Sequence, residues 1–287
     1  MSTAPTPLPD ARKVAIVGAG VMGAIMVAAL RAAGWPQDRI TAATRTEERA
    51  QVLRDDQGIV VVLDAAAAVT DADVVMLAVK PQDMGVALSQ IVGSLKDNVL
   101  IITVAAALPT SFYEAHLPAG TPVVRAMPNT PSVIAQGATG IAGGAYATAS
   151  HLQLTAGMLQ KTGLVVTVDE AQMDAVGALS GSGPAYFYAF VEALTETGVA
   201  QGLDRALATQ LAAQTFVGAA ALLESSGQSP QQLRQNVSSK GGTTLAGLAA
   251  METAGLQGVV AAGVNAAVTR TKELSTELSA QSSAVQD

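Results

Sequence analysis

Lys13-Val14-Ala15-Ile16-Val17-Gly18-Ala19-Gly20-Val21-Met22-Gly23 is the stretch that decides the fold. Four apolar residues without a polar break suit a strand buried on both faces, as parallel strands between helix layers are. The run then meets Gly-x-Gly-x-x-Gly, and Val21 to Ala33 reads as a helix. In that setting each glycine has its own task. Gly18 makes the tight turn, Gly20 lets a pyrophosphate approach the backbone, and Gly23 lets the helix lie close to the strand. The helix N-terminus then turns unpaired N–H groups toward the anion. A chain with 27 glycines can meet this spacing by chance, but a strand before the glycines and a helix after them is the context that marks a dinucleotide site.

The pattern repeats downstream. Ile40 to Thr44, Ile59 to Leu63, Val74 to Val79, Val99 to Val104 and Val123 to Ala126 are short apolar runs separated by helical stretches such as Glu47 to Asp55 and Gln82 to Leu95. A further strand-helix-strand passage runs from Gly137 to Val168, with Ala149 to Thr162 as its helix. Residues 11–170 therefore read as a doubly wound Rossmann-type α/β domain, its strands buried and parallel, after a flexible lead-in over 1–10. Beyond Asp169-Glu170 the strand signals stop. Asp204 to Glu224 is an Ala-rich helix with Asp204 as N-cap and Gly227 past its end, and Ser229-Pro230 opens the next. Thr243 to Glu252 and Leu256 to about Leu274 follow, so 171–275 reads as an all-helical domain. The polar tail, 276–287, is expected to fray.

Composition narrows the function. The 287 residues carry 16 Lys and Arg against 23 Asp and Glu, a net charge of -7, with no basic cluster to neutralise nucleic-acid phosphates. There is no Cys, which removes disulfides, thiolate metal sites and cysteine nucleophiles together. Residues 1–13 lack a basic stretch ahead of an apolar run, and no window reaches the ~18 unbroken apolar residues of a membrane span. The expectation is a soluble, cytoplasmic protein that binds neither nucleic acid nor membrane and holds no metal. Charged residues are only 14% and Ala fills 56 positions. The part after residue 170 has just 5 basic and 9 acidic residues to solvate its helices, so it is expected to dimerise.

The end of the second strand chooses the dinucleotide. An NAD site usually carries Asp or Glu there, gripping the ribose 2'-hydroxyl. This chain has Ala43-Thr44-Arg45-Thr46. Arg45 either meets a 2'-phosphate or merely opens a solvated helix. A charge-assisted bond to the phosphate is worth about 1.5–3 kcal/mol, so NADPH is expected to be preferred, with NADH weaker. Ala78-Val79-Lys80-Pro81 ends another strand where the crevice of such sheets lies. Lys80 there reads equally as a Schiff-base nucleophile, a phosphate contact or a surface lysine. Val104-Ala105-Ala106-Ala107 would let a cofactor ring approach the backbone.

Two segments of the helical part stand out. Leu179-Ser180-Gly181-Ser182-Gly183-Pro184-Ala185-Tyr186 sets flexible residues before a helix whose first turn Pro184 can occupy. Val237-Ser238-Ser239-Lys240-Gly241-Gly242-Thr243-Thr244 sets hydroxyls and paired glycines before another. A glycine turn feeding a helix N-terminus suits a carboxylate, and the same residues also serve ordinary capping. His116 and His151 read as surface or capping residues, and Tyr186, Phe187 and Tyr188 as core.

With the glycine loop, Ala78-Val79-Lys80-Pro81 and Arg125-Ala126-Met127-Pro128-Asn129-Thr130-Pro131, these two segments give the chain its likeness. It resembles the pyrroline-5-carboxylate reductases over nearly its full length. The resemblance implies a Rossmann domain followed by an all-helical domain that interlocks in a homodimer, often five dimers to a decamer. It implies NADPH-dependent reduction of a cyclic imino acid, 1-pyrroline-5-carboxylate, to L-proline, the last step of proline biosynthesis. Val17, Gly18, Ala19, Gly20, Val21, Met22, Thr44, Arg45, Ala78, Val79, Lys80, Pro81, Val104, Ala105, Ala106 and Asn236 match cofactor-contacting positions. Ser239, Gly242, Thr243 and Thr244 match the turn that holds the substrate, Thr244 being the catalytic candidate that hydrogen-bonds the ring nitrogen. Two positions depart from the pattern: Lys240 stands where the family often has Pro, and Ala65 falls near an Asn that contacts the adenosine side in relatives. The 3-hydroxy acid dehydrogenases share the plan but use a Lys in the helix after a Gly-rich segment, and Ala185 to Phe190 has none. A non-catalytic NADP-binding protein is the remaining alternative.

Overall fold

The computed structural model describes residues 12–283, so the lead-in over 1–10 lies outside the described residues. The chain forms two compact units, one running up to Ser182 and resuming from Ala267, the other spanning Gly183–Ala266.

The first unit is built on an eight-stranded sheet. Its strands are β1 (Val14–Val17), β2 (Ile40–Ala43), β3 (Val60–Val62), β4 (Val74–Leu77), β5 (Leu100–Thr103), β6 (Val123–Met127), β7 (Gly137–Gly143) and β8 (Gly163–Thr167), in the order β3-β2-β1-β4-β5-β6-β7-β8. β1 to β6 are all parallel. Alternation along each strand feeds two cores. Val14, Ile16, Met76 and Ile102 point to one face, under the helices α1 (Val21–Ala32) and α6 (Ala149–Leu159). Ala15, Val17, Leu77 and Ile101 point to the other, which also holds Met84, Leu88 and Tyr113. Those three come from α4 (Met84–Ile91) and α5 (Thr110–His116). Both faces are covered, which is why these strands read as unbroken apolar runs. The remaining helices are α2 (Glu47–Gln57), α3 (Ala65–Val69) and α7 (Met173–Val176).

Three features differ from the sequence reading. β7 pairs antiparallel with β6, because only a short 3₁₀ turn, Thr130–Ile134, joins them and a parallel return needs a crossover of a dozen or more residues. The segment Gly177–Gly181 is one π-helical turn rather than a loose lead into a helix. The tail does not fray at residue 275. α12 (Leu256–Ser283) runs on, with Arg270 paired to Glu273 and Glu277 and Leu278 packed on the second core.

The second unit contains α8 (Gly183–Ala200), α9 (Arg205–Ser226), α10 (Pro230–Asn236), α11 (Thr243–Thr253) and the first part of α12. α8 and α9 form a hairpin in which a Cβ on Gly198 would stand 3.2 Å from the Cβ of Ala208. Phe187 meets Phe216 at 5.1 Å between ring centroids. Asp204 caps α9 by accepting from the Ala206 and Leu207 N–H groups. Tyr186, Phe187 and Tyr188 are 38%, 53% and 60% exposed rather than core. They lie on a hairpin that has no third layer within its own unit. Leu207, Leu211, Val217 and Leu222 of α9 are exposed as well. Among the described residues, α9 is long and apolar enough to cross a membrane by length and composition.

Candidate functional site

The glycine loop is built by contacts that only glycine permits. Gly18 has φ +88°, and a Cβ there would stand 2.8 Å from a methyl of Val79 and 2.9 Å from the Ala78 carbonyl carbon. The Gly18 and Ala19 N–H groups both donate to the Ala43 carbonyl at 3.1 Å, which draws the loop against the end of β2. A Cβ on Gly23 would lie 2.7 Å from the Gly18 carbonyl oxygen, so the helix can approach the loop only without a side chain. Gly20 is different. It caps α1 in an extended conformation with no side-chain hydrogen bond, and a Cβ there would meet nothing within 4 Å. Its backbone faces open space, and the first N–H groups of α1 have no side-chain cap.

Arg49 completes the loop. Its Nε donates to the Ala19 carbonyl at 3.1 Å and its Nη2 to the Gly20 carbonyl at 3.2 Å. Arg49 thus occupies the loop's acceptors, leaving donors and a guanidinium around the opening. Sequence reasoning missed this residue. The Thr46 side chain accepts from the Arg49 N–H and fixes where α2 begins, but nothing local says that Arg49 folds back on the glycine loop.

The opening is a cleft of about 860 Å³ at the carboxyl ends of β1, β2 and β4. Strand order reverses between β1 and β4, the place where ligands of such sheets bind. Val17, Gly18, Ala19, Gly20, Thr44, Arg45, Ala78, Val79 and Lys80 all line it. Ala65 lines it too, beside Asp64. Thr44 is buried and donates its hydroxyl to the Thr46 carbonyl at 3.0 Å. The Arg45 side chain is 76% exposed and pairs with Asp83. Val21 and Met22 begin α1, and Pro81 follows Lys80; these three are not in the lining. Val104 and Ala105 are buried just past β5, with Ala106 exposed after them. Size, open glycine backbone, uncapped helix start and cations together fit a dinucleotide.

The second unit holds the other set. Ser238 donates its hydroxyl to the Arg234 carbonyl at 2.6 Å, and the Gly242 N–H donates to the Ser239 carbonyl at 2.9 Å, closing a turn in which Gly241 has φ +73°. Gly242 is the N-cap of α11 without a side-chain cap, and a Cβ on it would lie 2.4 Å from the Ser239 hydroxyl. Thr243 and Thr244 stand in the first turn of α11, both exposed. Uncapped N–H groups flanked by hydroxyls can receive a carboxylate. Lys240 is exposed on the same turn. Asn236, at the end of α10, donates to the Gln228 side chain at 2.9 Å and accepts from Gln232 at 3.1 Å.

Elsewhere, Arg125-Ala126-Met127-Pro128-Asn129 joins β6 to the π-turn. The Asn129 amide donates to the Ser180 carbonyl at 3.0 Å and accepts from the Ala138 N–H at 2.9 Å. Buried Arg125 pairs with Glu170 at 2.9 Å and Asp174 at 3.6 Å. His116 bonds the Phe112 carbonyl at 2.8 Å, and His151 accepts from the Thr148 N–H at 3.1 Å, so both serve helix ends. Burial, with Arg12 nearby, holds the His151 pKa below its ordinary value. Among the described residues no group of three His, Cys, Asp or Glu could hold a metal ion.

Comparison with known proteins bears on both units. A family model described as pyrroline-5-carboxylate reductase dimerisation matches residues 170–274. One described as NADP oxidoreductase, coenzyme F420-dependent, matches residues 13–107. A pyrroline-5-carboxylate reductase of Pseudomonas aeruginosa is 40% identical over 267 residues, 93% of this chain and 98% of the relative. Among solved structures, a pyrroline-5-carboxylate reductase from Coxiella burnetii superposes with a TM-score of 0.88 at 34% identity, covering 93% of this chain and 99% of that one. A pyrroline carboxylate reductase from Plasmodium falciparum, solved with NADP bound, gives 0.80 at 26% identity, covering 92% and 98%. Likeness of this depth over the sheet and the helices alike is carried by the whole chain and not by its glycine loop alone, and so the chain belongs to the pyrroline-5-carboxylate reductase family.

Proposed function

We propose that this chain catalyses NADPH-dependent reduction of 1-pyrroline-5-carboxylate to L-proline. The observation that carries the reading is the presence, on one chain, of a glycine-loop cleft furnished with Arg45 and of an uncapped hydroxyl turn from Ser239 to Thr244. When bound, the cofactor supplies the hydride for the imine carbon. The chain's own residues hold and orient. The first N–H groups of α1 and the cations Arg45 and Lys80 receive phosphate charge, Thr44 and Arg45 favour the 2'-phosphate over the 2'-hydroxyl, and NADH is the weaker alternative. Val21, Met22, Pro81, Val104, Ala105, Ala106 and Asn236 complete the cofactor contacts.

On the substrate side, the α11 N-terminus with Ser239, Gly242 and Thr243 binds the carboxylate, and the Thr244 hydroxyl oxygen accepts from the N–H of the protonated ring nitrogen. A cyclic imine enters already protonated, so no strong enzyme acid is needed and positioning carries the rate. Lys240 adds a cation beside this anion site. α8 has no Lys, so the proton acceptor that a 3-hydroxy acid dehydrogenase needs is not supplied from that helix.

In this reading 11–170 is the NADP-binding part and 171–275 the substrate and dimerisation part. The exposed leucines of α9 are covered by a second copy rather than by lipid, giving a homodimer, with a decamer of five dimers as the larger assembly. The enzyme is placed in the cytoplasm, free of nucleic acid. Following NADPH absorbance with pyrroline-5-carboxylate tests the activity directly. The expected result is saturable oxidation, with Thr244→Ala slowing turnover by about tenfold or more at an unchanged circular-dichroism spectrum. No oxidation at any substrate concentration would overturn the reading, and wild-type turnover in the variant would remove Thr244 from it.

A further inference from the structure

The end of β2 lacks the acid that grips a ribose 2'-hydroxyl in NAD sites, yet a carboxylate reaches the same mouth from another element. β2 and β4 flank β1, so the turns that follow them rise on either side of the glycine loop. Arg45 sits on the first turn and Asp83 on the second, both line the cleft, and their side chains are paired. Asp83 ends the 3₁₀ turn Pro81–Asp83 that runs directly into α4, with helical φ and ψ of its own. Its carboxylate caps no helix N–H and is paired with Arg45. Two other charges of the cleft are engaged differently. Asp64 accepts from the Ala66 N–H, and Arg49 is bound to the Ala19 and Gly20 carbonyls. Lys80 also lines the cleft and is exposed, and Arg45, at 76% side-chain exposure, is the cation paired to Asp83.

We propose that Asp83 is a specificity-determining residue that limits the chain's preference for NADPH over NADH. The inference rests on the assignment of Arg45 to the 2'-phosphate made above. A phosphate arriving at Arg45 must displace the Asp83 carboxylate and then lies a few ångströms from it, like charge beside like charge. A 2'-hydroxyl suffers neither cost and gains an acceptor. One acid on the β4 side thus does for NADH part of what the missing acid on β2 would do, while taxing NADPH.

Direct binding titrations of Asp83→Asn with NADPH and with NADH, by calorimetry and without substrate, test this apart from turnover. NADPH should bind about three- to tenfold tighter than to wild type, the scale of one exposed pair plus one like-charge contact, while NADH binds equally or more weakly. In an Arg45→Ala background the same substitution should tighten NADPH by a smaller factor than in wild type, since the competition for Arg45 is gone and only the like-charge contact remains. Equal shifts for both cofactors, or a ratio unmoved within about twofold, would overturn the proposal while leaving the cofactor reading intact. A wild-type chain that binds neither dinucleotide would sink the cofactor reading itself, and this inference with it.

Discussion

Arg125 shows what a single side chain contributes away from the cleft. Its side chain is 4% exposed, against 29% for Glu170 and 28% for Asp174. Glu170 also accepts from the Thr110 N–H at 3.2 Å, so one carboxylate ties β6 to α5 and to the segment leading into the π-turn. The asymmetry in burial decides which substitution costs more. If Arg125 becomes Met, two part-exposed carboxylates can rehydrate and the Met fills much of the space. If Glu170 becomes Ala, a buried guanidinium keeps only the longer Asp174 contact and the Thr110 N–H loses its acceptor. Urea denaturation should therefore find Glu170→Ala destabilising by about 2–4 kcal/mol and Arg125→Met by about 1–2; the reverse order would contradict this account. None of it was legible in the sequence, where Arg125 and Glu170 stand 45 positions apart. Arg49 and the Ala19 carbonyl, and Arg45 and Asp83, are separated in the same way. The glycine loop was legible because the turn at Gly18, with φ +88°, and the approach of Gly23 to the Gly18 carbonyl are local; the Ala78 and Val79 atoms that also exclude a Cβ at Gly18 stand 60 or more positions on and were not. The substrate turn was legible as a turn because its reasons are local too: Gly241 has φ +73°, and Gly242 packs on Ser239 and bonds its carbonyl, three residues away.

At the scale of elements, the strands could be read because burial on both faces leaves an unbroken apolar run. Direction could not. Gly137–Gly143 is a strand of small residues, and only the shortness of its link to β6 makes it antiparallel. α3 escaped because five residues of Ala and Val carry no period, and α12 was cut short because a polar sequence hides the Arg270 pairs and the Leu278 contact. α6 offers a test of how its end is held. The His151 Nδ1 accepts from the Thr148 N–H, which requires the neutral ring. Burial first, then the Arg12 charge, depresses the His151 pKa below its ordinary 6.5. A depressed folded value means that the contribution is present in full above 6.5 and lost as the pH falls below it. His151→Ala should accordingly cost about 0.5–1 kcal/mol at pH 8, and the gap to wild type should shrink by pH 5 in urea melts at both pH values. A gap that widens on acidification would show that the ring is held charged.

Taken as a whole molecule, the chain leaves apolar surface that its own fold does not cover. In the second unit Leu207 and Leu211 lie one helical turn apart on α9 at 45% and 51% exposure, with Val217 at 57% and Leu222 at 52%. Full burial of one such side chain is worth roughly 1.5–3 kcal/mol, so covering the exposed half of these four offers on the order of 3–6 kcal/mol to whatever packs on them. The matched dimerisation domain over residues 170–274 makes a second copy the natural cover. Association should then be part of stability. Sedimentation at micromolar concentration should give at least twice the monomer mass without detergent, ten copies if the dimers assemble further, and the melting temperature should rise with protein concentration. Leu211→Glu would place a charge in the middle of this surface and should shift the species toward monomer by roughly a hundredfold in dissociation constant, about 3 kcal/mol. If wild type sediments as a monomer, the second copy is excluded as the cover. If it stays dispersed only in detergent, lipid and not protein is what α9 meets.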